Sequence, residues 1–154
     1  VGSEMCIRDS HQGIQQYIKD FNHLYRDHSA LYYNDSDVMG FEWMDCSRPE
    51  SSTVAFVRRG KTKTKQLLFI LNFTPVAHEK YRVKAPCGGK YTEILNSDDV
   101  KYGGQGRMNA DPITAKKKGS TKKGRNRKKT QGTEYEIECY LPPLSVVFLE
   151  YGYK

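Results

Sequence analysis

Apolar residues recur every three or four positions from Ile14 through Tyr17, Ile18, Phe21, Leu24 and Tyr25 to Leu31. That spacing predicts one amphipathic helix over residues 11–31, with Gln15, Lys19, Asn22 and Arg26 turned away from its stripe. After Leu31 the period shortens to two. Residues 40–44 alternate, with Phe41 and Trp43 on one face. Residues 53–59 and 66–74 are rich in β-branched and aromatic side chains and are joined by the polar stretch 60–65, which predicts a hairpin. Residues 81–84, 90–95, 135–141 and 146–151 read as further strands, with a Gly-rich loop over 96–111. Turn clusters at 34–37 and 47–51, the Gly88-Gly89 pair and the Pro142-Pro143 pair separate them, and the two prolines force a kink or an edge turn. So many short strands at close spacing predict a mainly β fold, an antiparallel β-sandwich preceded by one helix.

Two segments fall outside this pattern. Residues 1–10 (VGSEMCIRDS) show no clear periodicity and read as an unmatched leader, in the manner of translated adapter sequence. Residues 114–133 are dense in lysine and arginine with no apolar anchor, which predicts a mobile insertion in the β-domain. That second segment changes the meaning of the charge. A formal net charge of +7 raises nucleic acid as a partner, but nine of the cations lie between Thr114 and Gly132 with no acid among them. The other 16 basic residues face 18 acidic ones, a net of −2. The basicity belongs to one loop rather than to the fold, which opposes a nucleic-acid-binding module. The run would attract phosphate groups only in a salt-sensitive, unspecific way.

Cys6, Cys46, Cys87 and Cys139 are widely separated, with no CxxC or Cys/His spacing. They read as free thiols in a reducing, cytoplasmic compartment, with no metal site. No apolar run approaches the length of a membrane span, and no secretory apolar region stands near the start.

Candidate chemistry is sparse. Asp98-Asp99 is the one tempting acid pair, but neighbours in an extended segment point to opposite sides, and a retaining glycosidase needs two carboxyls about 5–5.5 Å apart. They read as turn acids that accept backbone N–H groups. His11, His23, His28 and His78 have no Ser, Cys or Asp arrangement of a triad. Gly103-Gly104-Gln105-Gly106 lacks the following GK[ST] of a phosphate loop and reads as a turn. No catalytic, cofactor-binding or metal-ligating residue is assigned. Aromatic rings also stack on sugars. Phe41, Trp43, Phe56, Phe69, Phe73 and Phe148 lie on strand patterns and are expected in the core, which leaves Tyr102, in the Gly-rich loop, as the candidate glycan contact.

Taken in order, HQGIQQYIKDFNHLYRDHSAL, GFEW, FVRR, LNFTPV, EILNSDD, YGGQG and LPPLSVVFL closely resemble the C-terminal part of glycogen branching enzymes of the α-amylase family. The resemblance runs from about His11 to Tyr151, apart from the basic segment, which is longer and more charged than the family's usual link. It implies that residues 11–31 are the last helix of a catalytic (β/α)8 barrel and residues 32–154 the C-terminal all-β domain. It implies a parent that cleaves an α-1,4-glucan, holds the fragment as a glycosyl-enzyme and passes it to a glucose 6-hydroxyl to make an α-1,6 branch. The chemistry of such a barrel sits at the C-terminal ends of its strands. Those strands are expected before His11, so no catalytic residue carries over to a position here. The implied partner is an α-glucan, met through the parent. The helix stripe is expected to be partly exposed, or to rest on the β-domain alone and to be poorly anchored there. A stand-alone carbohydrate-binding β-sandwich is the alternative, and it predicts an exposed aromatic platform.

Overall fold

A computed structural model describes residues 2–45, 52–62, 65–109, 112–118 and 134–152, with the side chains of residues 2–10 left out. Among the described residues one α-helix, α1 (Gly2–Asp27), precedes eight strands: β1 (Phe41–Asp45), β2 (Thr53–Arg59), β3 (Gln66–Asn72), β4 (His78–Ala85), β5 (Gly89–Asn96), β6 (Ile113–Lys117), β7 (Tyr135–Leu141) and β8 (Ser145–Gly152). All the pairings are antiparallel, in the order β1-β2-β3-β8-β5-β6-β7-β4. The sheet folds over at β6, which pairs with β5 on one side and β7 on the other. This gives the sandwich expected from the sequence.

Two cores result from the two faces of the first layer. The inner core lies between the layers. Ala55, Leu68, Ile70, Val147, Leu149 and Tyr91 meet Tyr81, Val83, Ile137, Cys139 and Leu141, and all are buried. The outer core is a row of side chains running across the strands: Trp43 pairs with Phe56, Phe56 with Phe69, Phe69 with Phe148, and Phe148 with Leu95. The period of two makes both rows from the same strands. In β5 a bulge between Glu93 and Leu95 swings Leu95 to the outer row, although Tyr91 points inward. Helix α1 covers one end of the outer row with Tyr17, Phe21 and Leu24.

Several boundaries differ from the sequence reading. The helix begins at Gly2, so residues 2–10 continue it toward the N-terminus, earlier than the periodicity from Ile14 indicates. They contain no proline and no interior glycine after Gly2, and a helix already formed over 11–27 propagates through them at little cost. It stops at Asp27 instead of Leu31: His28 turns extended at φ −111°, ψ 103°, and Ser29–Leu31 form a short 3-10 turn. Residues 113–117 are a strand, with Ile113 and Ala115 buried, and only the remainder of the basic segment, 119–133, lies outside the described residues. Phe41, Trp43 and Phe73, expected in the core, are exposed. Alternation placed Phe41 and Trp43 on a face but could not say what covers it, and Phe73 lies just past the end of β3.

Candidate functional site

Two surfaces hold the side chains singled out above. The first is the Gly-rich turn. Asn96 Oδ1 accepts the Asp98 amide at 2.9 Å, Asp98 Oδ1 accepts the Gln105 amide at 3.1 Å, and Asp99 Oδ1 accepts the Lys101 amide at 3.1 Å. Both acids therefore shape a turn. Gly104 runs so close to Asp98 that a Cβ would meet the Asp98 carbonyl oxygen at 2.2 Å, which restricts the position to glycine. Tyr102 ends a 3-10 turn, Val100–Tyr102. Its ring is half-buried with Tyr17 edge-on at 5.1 Å, the Lys101 ammonium lies over the ring, and its hydroxyl donates to Asp20 at 2.8 Å. Burial, followed by the hydrogen bond to Asp20, pushes the Tyr102 hydroxyl above its ordinary pKa.

A second network backs this turn. Glu93 accepts from Asn96 and Asn109, and Asn109 exchanges hydrogen bonds with the Tyr140 backbone at 2.7 and 2.9 Å. On the opposite side, buried Asn72 joins LNFTPV to LPPL by donating to the carbonyls of Val76 and Pro142, each at 2.8 Å. These motifs hold loops in register.

The second surface is the open end of the outer row. Phe41 and Trp43 meet edge-on at 4.9 Å, and both contact Phe56, which stacks on Phe69 at 4.7 Å. Trp43 is 55% exposed. A shallow groove lined by Val38, Met39 and Pro86 continues from Phe41. A rigid, water-exposed indole braced by two further rings is the type of surface on which a sugar ring stacks. Sequence reading missed it because edge position, the property that leaves β1 uncovered, is not local. The alternation of Phe41 and Trp43 with Glu42 and Met44 was the signal available.

The remaining candidates do not converge. His11 and His23 are exposed on α1, His28 lies between the Leu24 carbonyl and Glu150, and His78 packs on Tyr81. Among the described residues no three His, Cys, Asp or Glu side chains form a metal-binding group. Cys87 and Cys139 are free thiols, while Cys6 and Cys46 lie outside the described side chains. Burial pushes the Cys139 thiol up to about 12. No described helix is long and apolar enough to cross a membrane.

Residues 43–152 match the family described as alpha amylase, C-terminal all-beta domain. Over 142 residues, 92% of its length, the chain is 39% identical to the 1,4-alpha-glucan branching enzyme GlgB of Synechococcus elongatus, of which this covers 17%. GlgB of Prochlorococcus marinus (strain NATL1A) is 38% identical over 95% of the chain and 18% of the relative, and GlgB of Synechocystis sp. is 39% identical over 91% and 17%. The chain thus spans less than one fifth of the length of these relatives. With residues 43–152, more than half of its length, matched by the family model, the chain belongs to the family of alpha amylase C-terminal all-beta domains.

Proposed function

We propose that this chain is the C-terminal part of a cytoplasmic 1,4-alpha-glucan branching enzyme of glycogen biosynthesis. The observation that carries the reading is the identity to GlgB proteins across more than nine tenths of the chain. The parent cleaves an α-1,4-glucan, holds the fragment on a carboxylate as a glycosyl-enzyme, and transfers it to a glucose 6-hydroxyl. The part in hand is structural. Asp98 and Asp99 are engaged by backbone amides, which supports a chain with no carboxylate pair of its own. Ile14 and Ile18, exposed on α1, are the face that meets the remainder of the parent.

Incubating the purified chain with amylose and following the iodine spectrum and the α-1,6 linkages tests this. No turnover is expected. Turnover abolished by a substitution within the chain would overturn the reading of it as structural.

A second reading, a carbohydrate-binding β-sandwich, is favoured by the exposed Phe41–Trp43 pair. It predicts quenching of the single tryptophan by maltoheptaose and loss of binding in Trp43→Ala. A glycan contact at Tyr102 instead predicts binding that survives Trp43→Ala and is lost in Tyr102→Ala. An unchanged emission spectrum and no measurable heat of binding would remove both.

A further inference from the structure

The Gly-rich turn grips α1 along one helix face. At Gly13, a Cβ would stand 2.5 Å from the Tyr102 carbonyl oxygen, so the helix backbone lies directly on the turn. One turn of helix later, Tyr17 meets the Tyr102 ring edge-on at 5.1 Å. Asp20, seven residues after Gly13 and on the same face, accepts the Tyr102 hydroxyl at 2.8 Å and pairs with Lys101 Nζ at 3.1 Å. Gln16 Nε2 donates to the other oxygen of Asp20 at 2.7 Å. The turn is itself fixed from below by Asp98 and Asp99, so it presents Tyr102 from a rigid base. Beyond this grip, α1 rests on the outer core chiefly through Phe21 and Leu24, while Ile14, Ile18 and Tyr25 face outward.

We propose that the turn carrying Tyr102 is a latch: α1 docks on and releases from the sandwich while the strands stay folded, and the Tyr102 hydroxyl on Asp20 sets that equilibrium. Releasing one helix face exposes far less apolar surface than opening the inner core, so the two openings are separable in free energy. The latch holds whatever reaction the rest of the protein performs.

It is also sensitive to acid. The groups facing Asp20 are Tyr102 and Lys101 from the turn and Gln16 from its own helix, with Asp99 behind Lys101 at 3.7 Å. The Tyr102 hydrogen bond first, then those of Lys101 and Gln16, hold the Asp20 carboxyl below its ordinary pKa. A group with a depressed folded pKa stabilises above its unfolded value, about 3.9 for Asp, and loses that contribution as the pH falls through the folded one. The latch is therefore fully engaged above about pH 4 and weakens below it.

Hydrogen exchange on the full 154-residue chain reads the latch directly. Removing one hydroxyl in Tyr102→Phe leaves the ring packing in place. It should speed exchange of the α1 amides after Tyr17 about tenfold, the scale of one hydrogen bond to a charged group, with β3 and β8 unchanged. Gly13→Ala drives a Cβ into the Tyr102 carbonyl and should speed the same amides more. Asp20→Asn should flatten the dependence of the helix-to-strand exchange ratio on pH between about 2 and 5. Unchanged helix exchange in Tyr102→Phe would overturn the latch. So would equal acceleration of helix and strands, because the helix would then open only with the whole domain.

Discussion

The inner and outer cores are built from alternate residues of the same strands, yet they are closed differently. The inner row, including Leu68, Ile70, Val147 and Leu149 at 0% exposure, is sealed by the second layer of the same sheet. The outer row is covered by α1 at Phe148, half-covered at Phe56, and open at Trp43. A row that passes from buried to exposed along one continuous ring stack has its degree of burial set by what lies over it. Composition does not set it, since Phe56, Phe69 and Phe148 are the same residue. The inner core is where the domain keeps its own stability, and the outer row is where it meets other elements.

That contrast can be broken by substitution. Leu68→Ala, in the sealed core, should lose about 3 kcal/mol in denaturant unfolding with the slope unchanged. Phe21→Ala, half-buried under the covered end of the outer row, should lose about 2 kcal/mol, and Trp43→Ala at the open end less than about 1 kcal/mol. Equal losses at Leu68 and Trp43 would erase the distinction between the cores. The smallest effect is expected from the basic segment. Lys118 N donates to Glu134 O at 2.9 Å, so the ends of residues 119–133 are already held together. Replacing those residues by a short Gly/Ser link should move the melting temperature by no more than about 2 °C, because closure depends on loop length only at about 0.6 kcal/mol per doubling. The six cations removed would take the net charge from +7 to +1 and weaken any salt-sensitive attraction to polyanions.

The strands were legible because alternation is local: β2, β3, β5, β7 and β8 stand within two residues of where the apolar pattern put them. What covers a face is not local, which is why Trp43 and Phe69 looked alike in sequence and differ in exposure by 50 percentage points. Strand β6 was hidden by its own exposed face. Lys116 and Lys117 belong to a cationic run, and the run masked the alternation of Ile113 and Ala115. The Asp20–Tyr102 contact joins residues 82 positions apart and left one trace, a glycine at position 13 inside a helical pattern, which costs helix stability and here admits the Tyr102 carbonyl. Asp98 and Asp99 could be read as turn acids because their partners lie within seven residues.

The position of Cys139 gives the domain a built-in reporter. Its thiol lies within the sealed core at 5% exposure with its pKa pushed to about 12, while Cys87 sits half-buried near the surface. Burial denies reagents access to Cys139 and disfavours its thiolate, so an alkylating reagent reaches the half-buried Cys87 first and Cys139 only when the layers part. With Cys6 and Cys46 replaced by serine, the alkylation rate of Cys139 becomes a clock for separation of the two layers, and it should not respond to release of α1.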